Sequence, residues 1–349
     1  MGGFGVCRTG AAALSVLALA GCMSSGEDTA KVAAPKGAVK AVSPQEAKQA
    51  KAAAAAKVKA NELGQVPVLM YHRVVPKPET SDDRTPAQFR AELERLASED
   101  YVPITAAEYA TGKIGIPAGK HPVVLTFDDS SPSQVTLDGM GVPAPDTALG
   151  ILLDVAAKKP GFRPVATFYV TGDMFGKERP DEQTQIMTWL HEHGFDLGNH
   201  TRDHLNLRGK SKEQVNKEIA AGHQVVKGRI PFDPVTLALP YGNQPNTKAW
   251  ALRGAANGTR YSYGGVFLAG YTPAASPFST DFDPMGIPRI KSQEKKGDCV
   301  KFCSTAWLDW LKAHPDERFT SDGDIRTVAY PKFKAAFGAK RYSAYALSY

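Results

Sequence analysis

From Val66 onward, short apolar runs alternate with stretches of helical periodicity. The runs are VPVLMYHRV (66–74), YVPIT (101–105), HPVVLTFDD (121–129), PVATFYV (164–170), FDLGNHT (195–201), TLALPYG (236–242), YSYGGVFL (261–268) and IPRIK (287–291). Between several of them lie amphipathic segments. TPAQFRAELERLASED (85–100) opens with a Thr cap followed by Pro, and DTALGILLDVAAKK (146–159) carries apolar residues at helical spacing. DEQTQIMTWLHEHG (181–194) ends in Gly, and SKEQVNKEIAAGHQVVKG (211–228) follows. Strand–helix alternation with mostly apolar strands predicts a parallel sheet covered by helices, either a barrel or a doubly wound sheet. There is no internal repeat. No glycine-rich phosphate loop follows the first strand, which counts against a nucleotide-binding fold.

The first 65 residues break this pattern. Residues 23–65 are rich in Ala and Lys. Ser43-Pro44-Gln45-Glu46 has the form of a capping box with Pro at the first helical position. Strong helix formers follow, and Gly64 can close a helix of about 20 residues, about 30 Å long. It has no apolar face, so it is expected to be a spacer, with a flexible coil as the open alternative. Residues 1–22 combine Arg8 with AAALSVLALAG, a stretch too short to span a bilayer comfortably. It ends in Leu19-Ala20-Gly21-Cys22, which resembles a bacterial lipobox. That resemblance implies cleavage before Cys22, lipidation of Cys22, and export into an oxidising compartment. An ordinary secretory signal with an incidental Cys is the alternative. Met23 lacks the Asp typical of inner-membrane retention, which points toward the outer membrane or cell surface. The expected organisation is a signal over 1–22, a spacer over 23–65 and one catalytic domain over 66–349.

Charge and cysteine content refine this only slightly. The chain has 349 residues and a net charge of +6, and lysines are frequent between Lys31 and Lys59. A solvated spacer near an anionic envelope accounts for that better than a nucleic-acid groove, and no basic-aromatic pattern suggests base stacking. With Cys7 cleaved off and Cys22 lipidated, Cys299 and Cys303 remain. On a helix they would stack one turn apart, within possible disulfide reach. A zinc site made of these two alone is not expected, since no second Cys or His pair lies near them.

The chemistry concentrates at the ends of two strand runs. In VVLTFDDSS (123–131) two carboxylates, Asp128 and Asp129, follow a buried-looking strand. Adjacent like charges there repel and lose hydration unless a cation sits beside them. In GNHTRDHL (198–205), His200 and His204 are four residues apart, a spacing that lets both imidazoles converge on one ion. Sites in α/β folds form at strand C-terminal ends. One Asp and two His make a three-ligand set with positions left open for water, the pattern of a catalytic zinc site. The other Asp can then take a proton from the activated water. Such a set binds zinc, cobalt or nickel alike.

TFDD, then HTRDH, then PYG, preceded by VPVLMYHRV, resembles the polysaccharide deacetylase family with NodB homology (carbohydrate esterase family 4), over roughly residues 66–292. The resemblance includes exported poly-N-acetylglucosamine deacetylases. It implies a distorted (β/α) barrel and metal-dependent removal of acetyl groups from an envelope or extracellular polysaccharide, N-acetylglucosamine-type above all. It makes Asp128 the general base and Asp129, His200 and His204 the ligands of Zn²⁺ or of another divalent transition metal such as Co²⁺ or Ni²⁺. The backbone N–H of Tyr241 would stabilise the oxyanion.

The departures from the family are specific. The usual third motif carries an Arg two residues before the Pro, and Ala238 stands there. Arg289 in GIPRIK is the candidate for the missing charge near Asp128, with a surface ion pair as its alternative. The usual terminal His general acid is not visible, and His314 in KAHPDE does not match. His72 is expected either to line the pocket or to pack in the core, and His191 and His193 to be structural. SDGD (321–324) reads as an acidic turn, or as a calcium site. The departures leave one rival reading, a non-catalytic carbohydrate-binding protein on a decayed deacetylase fold, and the ligand set leaves another, a different metal-dependent amidase or peptidase on the same scaffold.

Overall fold

The computed structural model describes residues 43–349. The expected signal and lipobox with Cys22, and the first part of the spacer, lie outside the described residues. In chain order the described elements are α1 Pro44–Lys57, β1 Val68–Tyr71, α2 Pro86–Ser98, β2 Tyr101–Ile104, α3 Ala106–Ala110 and β3 His121–Phe127. There follow α4 Ala148–Lys158, β4 Thr167–Val170, α5 Pro180–Glu192, β5 Asp196–Asn199, α6 Lys212–Lys227 and β6 Thr236–Ala238. The remainder comprises α7 Ala249–Leu252, β7 Arg253–Ala256, β8 Thr259–Ser262, β9 Gly265–Phe267, β10 Ile290–Lys291, α8 Cys299–Phe302, α9 Ser304–Ala313, β11 Val328–Tyr330 and β12 Ala346–Ser348.

The main sheet is parallel throughout and runs β10-β1-β3-β4-β5-β6-β9, with β2 also paired to β3. The stretch 287–291 draws its two ends together: Ile287 bridges to Phe267 of β9, while Ile290 and Lys291 pair with β1. The result is the distorted (β/α) barrel that the resemblance implies, one of the two sheet types that the alternating pattern left open. Strand alternation sorts the side chains. Leu69, Tyr71, Val123, Leu125, Phe127, Phe168 and Val170 face outward into one cluster with Phe89, Leu93, Leu149, Leu152, Ile186 and Leu190 of the covering helices. Val68, Val124, Tyr169 and Phe267 face inward. The same alternation aims Thr126 and Asp128 into the barrel.

Three expectations change. YSYGGVFL is not one strand: β7 and β8 form an antiparallel hairpin, and only Gly265–Phe267 joins the main sheet. Cys299 and Cys303 do form a disulfide, but not by stacking on one helix, because Cys303 is already extended at the end of α8 (φ −112°, ψ 178°).

The third change concerns the domain boundary. α1 is capped by Ser43 with the full reciprocal box, as read, and most of it is exposed. Yet its last turn is not detached. Ala55 and Ala60 are buried with Ala329 and Leu347, Asn61 N donates to Thr320 O (2.8 Å), and Glu62 N donates to Ala329 O (2.8 Å). Gly64 does not close the helix. It lies where the chain passes residue 318 so closely that a Cβ would sit 2.4 Å from the Arg318 carbonyl carbon. Residues 55–65, expected to belong to the spacer, therefore pack against the part of the chain expected to begin at 66. No described helix is long and apolar enough to cross a membrane.

Candidate active site

The site sits where the barrel strands end. β3 delivers Asp128 on its inward side; at Asp129 the backbone turns left-handed (φ 73°), and Ser130 follows (φ 48°). That turn breaks the alternation, so two adjacent carboxylates reach the same cavity. β5 ends at Asn199, and His200 follows it inward. Thr201 (φ 63°) and His204 (φ 50°) are also left-handed, as is Tyr241 (φ 59°) after Pro240. Non-glycine residues held at such angles cost about 1–3 kcal/mol each and gather where surrounding structure imposes them. Here five of them cluster around one cavity.

Asn199 explains how the His200 loop keeps its shape. Its Oδ1 accepts from Thr201 N at 2.7 Å, while Nδ2 donates to Ile219 O (2.9 Å) and to Tyr263 Oη (2.7 Å). α6 lies directly behind, because Gly222 has no side chain: a Cβ there would be 2.2 Å from Asn199 Oδ1 and 2.6 Å from Thr201 Cα. Gly198 likewise lets the Tyr169 ring lie 2.4 Å from where a Cβ would be. The sequence reading passed over Asn199 and Gly222. A polar residue just before the first His, and a Gly inside a strong helix, were the available signals.

Asp129, His200 and His204 present their ligand atoms within 4.8 Å of one another. Asp129 Oδ1 is 3.3 Å from His200 Nε2 and 3.3 Å from His204 Nε2. Nδ1 of His200 lies 2.8 Å from the Ala238 carbonyl, which can only accept, so Nδ1 holds the proton and Nε2 offers a lone pair. Asp129 Oδ1 is buried and has no hydrogen-bond partner. Asp129 Oδ1 thus faces two imidazole Nε2 atoms with no hydrogen bond made to it, an arrangement that a divalent cation satisfies. Burial lowers the His200 imidazole's pKa, but Asp128 and Asp129 outweigh it and raise it above the usual value. A cation answers the same two carboxylates.

Asp128 is fixed separately. Arg289, wholly buried, donates Nη1–H to Asp128 Oδ1 and Nη2–H to Oδ2, both at 2.6 Å. It also donates to Thr126 Oγ1 (3.1 Å) and Leu268 O (2.7 Å), and its guanidinium lies 5.5 Å from the Tyr169 ring centroid. Burial pushes the Asp128 carboxyl up, but the Arg289 charge, with His200 beside it, prevails and holds it well below the usual carboxylate range. Asp128 Oδ2 is 3.7 Å from His200 Nε2, so the carboxylate borders the ligand set without joining it. Ala238 contributes only its carbonyl, and the charge comes from Arg289 across the barrel.

These residues line one cavity of about 630 Å³, together with His72 and Tyr241. Tyr241 is exposed, its ring 4.8 Å from that of His204. His314 is elsewhere, stacked on Trp310. His193 stacks on Trp189. The SDGD stretch is a turn tied by its own side chains, with Asp324 paired to Lys51 and Arg326.

The chain is similar to known proteins over its central part. The polysaccharide deacetylase family model matches residues 115–258. The Bacillus subtilis protein YxkH is 26% identical over 205 residues, 55% of this chain and 63% of its own length. Among solved structures, a polysaccharide deacetylase from Bacillus cereus is similar over 64% of each chain, at 18% identity and a TM-score of 0.49. The Streptococcus pyogenes deacetylase PplD, in complex with acetate, is similar over 65% of this chain and 91% of that one, at 19% identity and a TM-score of 0.48. The chain thus spans under two thirds of the length of YxkH and of the Bacillus cereus protein.

Proposed function

We propose, from the premise that this chain carries a polysaccharide deacetylase domain, that it hydrolyses acetyl groups from an N-acetylglucosamine-type polysaccharide of the envelope or extracellular matrix. The observation that carries the proposal is the buried, unpartnered Oδ1 of Asp129 facing Nε2 of both His200 and His204, with a separately held carboxylate next to it. Asp129, His200 and His204 would hold zinc or a similar divalent ion. When bound, the ion supplies Lewis acidity, polarising the acetyl carbonyl and lowering the pKa of the attacking water.

The protein's own groups do the rest. Asp128 stays ionised and oriented by Arg289, and it takes the proton of the attacking water. Arg289 uses one lone pair on each Asp128 oxygen, which leaves another free to receive that proton. The Tyr241 amide stabilises the oxyanion. The leaving amine takes its proton from His72, the one cavity-lining imidazole outside the ligand set. The paired Asp128 and Arg289 favour a reaction over mere sugar binding, since a binding site gains nothing from an ion pair buried behind its ligand set.

The test is acetate release from N-acetylglucosamine oligomers with zinc, with a chelator, and with Asp128→Asn, alongside the metal content of the purified protein. Metal-dependent release that Asp128→Asn abolishes supports the reading. One bound metal with no release from any acetylated substrate refutes it in favour of a sugar-binding protein. We further propose, from the lipobox-like residues 19–22, that the mature chain is lipid-anchored through Cys22 at the envelope. Fatty-acid labelling that Cys22→Ala leaves unchanged refutes that.

A further inference from the structure

Two exposed aromatic side chains stand at the mouth of the cavity that contains Asp129, His200 and His204. Tyr271 is 69% exposed and Phe302 47%. Both line that cavity, and their rings meet edge to face with centroids 6.3 Å apart. Neither is on a loose tail. Tyr271 bridges to Ile290, next to Arg289, and its carbonyl accepts from Trp307 Nε1 at 2.7 Å. Phe302 ends the single-turn helix α8, whose first residue is disulfide-bonded to the residue after its last.

Exposed aromatic rings forgo about 25 cal/mol for each Å² left in water. Here a bridge, an indole hydrogen bond and a covalent crosslink all hold two such rings outward beside a candidate active site. Exposed apolar surface placed this way marks a binding face. Flat rings take the apolar C–H face of a pyranose, while Lys291 and Asp298 on the same cavity wall can meet its hydroxyls. The cavity falls within the range of about 300–1,000 Å³ that encloses whole ligands, so it has room beyond an acetyl group.

We propose that Tyr271 and Phe302, braced by the Cys299–Cys303 turn, form a sugar-binding wall that holds a neighbouring residue of the polymer during hydrolysis. The inference rests on the deacetylase reading above. Both residues lie outside the stretch 115–258 that the family model matches, so the wall is a feature of this chain's C-terminal part.

The experiment compares kcat/KM for an N-acetylglucosamine tetramer with that for a small acetyl ester, using the full chain in detergent and loaded with zinc. Phe302→Ala and Tyr271→Ala are each expected to lower the tetramer-to-ester ratio about tenfold, or about 1.4 kcal/mol, through KM for the tetramer. Phe302→Tyr is expected to restore the ratio. An equal loss on both substrates, or no change in the ratio, overturns the wall. If the wild type releases no acetate from either substrate, the deacetylase reading has failed on its own. The wall is then judged by tetramer binding in titration calorimetry: at least fivefold weaker binding in Phe302→Ala upholds it, and unchanged or absent binding overturns it.

Discussion

Replacing Arg289 with Met tests the site's electrostatics most directly. The substitution keeps an unbranched apolar stem and removes a cation whose side chain is wholly buried. Asp128, 2% exposed, loses both of its 2.6 Å charged hydrogen bonds. The Leu268 carbonyl loses its 2.7 Å partner as well. Breaking a buried pair by removing one member costs about 3–5 kcal/mol, because the remaining charge has no compensation. The orphaned carbonyl adds to this, and the apolar contacts of Met offset part, so a net loss of about 3–5 kcal/mol is expected. With Arg289 gone, burial prevails over the remaining attractions and Asp128 moves toward its protonated form, which cannot act as a base. Loss of general-base catalysis lowers activity by about 10²–10⁴-fold. Urea denaturation near neutral pH and acetate release read the two effects. The double variant Arg289→Met/Asp128→Asn removes the stranded charge, so it should be about 1–3 kcal/mol more stable than additivity of the single variants predicts. Strict additivity, together with a single variant within about 1 kcal/mol of wild type, would refute the argument that this pair is a coupled buried unit.

Three further outcomes are expected. Gly222→Ala drives a Cβ to 2.2 Å from Asn199 Oδ1; α6 must move away, costing about 1–3 kcal/mol in denaturant melts and weakening zinc binding in a metal titration, because His200 lies between the displaced Asn199 and Thr201. Burial, with Asp322 next, pushes the Glu62 carboxyl from 4.5 up to about 8, so the folded chain keeps a proton that the unfolded chain releases. That stabilisation is full below pH 4.5 and is lost as pH rises through 8. Glu62→Gln should therefore flatten the fall in stability across this window, removing up to about 4 kcal/mol of pH dependence, and melts at pH 5 and pH 8 that keep the wild-type difference would contradict it. His72→Asn should slow N-acetyl amides at least tenfold more than aryl acetates, whose leaving groups need no proton, and steady-state rates on the two substrate types check this.

What the sequence made legible follows the range of the interactions involved. The strands and covering helices are local patterns, and the candidate ligands lie in two short stretches that each follow a strand, so spacing brings the Asp128–Asp129 pair, His200 and His204 to attention, while the choice of Asp129 over Asp128 came from the resemblance. Arg289 is harder. Nothing in GIPRIK distinguishes a buried guanidinium from a surface one, and only the vacancy at Ala238 pointed to it. The barrel supplies the explanation: residues 287–291 pass from β9 to β1, which places Arg289 across from β3.

The attachment of residues 55–65 was not legible for a different reason. α1 buries one alanine, Ala55, and attaches through backbone hydrogen bonds after its last turn, and neither leaves an apolar stripe to be read. Phe302 was similarly silent, and Tyr271, 31 positions before it, becomes its partner only when β10 and the disulfide-closed turn bring them together. Chemistry that depends on neighbours along the chain is written in motifs. The contacts that orient it, here Arg289 on Asp128 and Gly222 behind Asn199, depend on closure of the barrel. A substitution at these supporting positions is therefore the sharper test, because it leaves every motif residue in place and removes only the geometry.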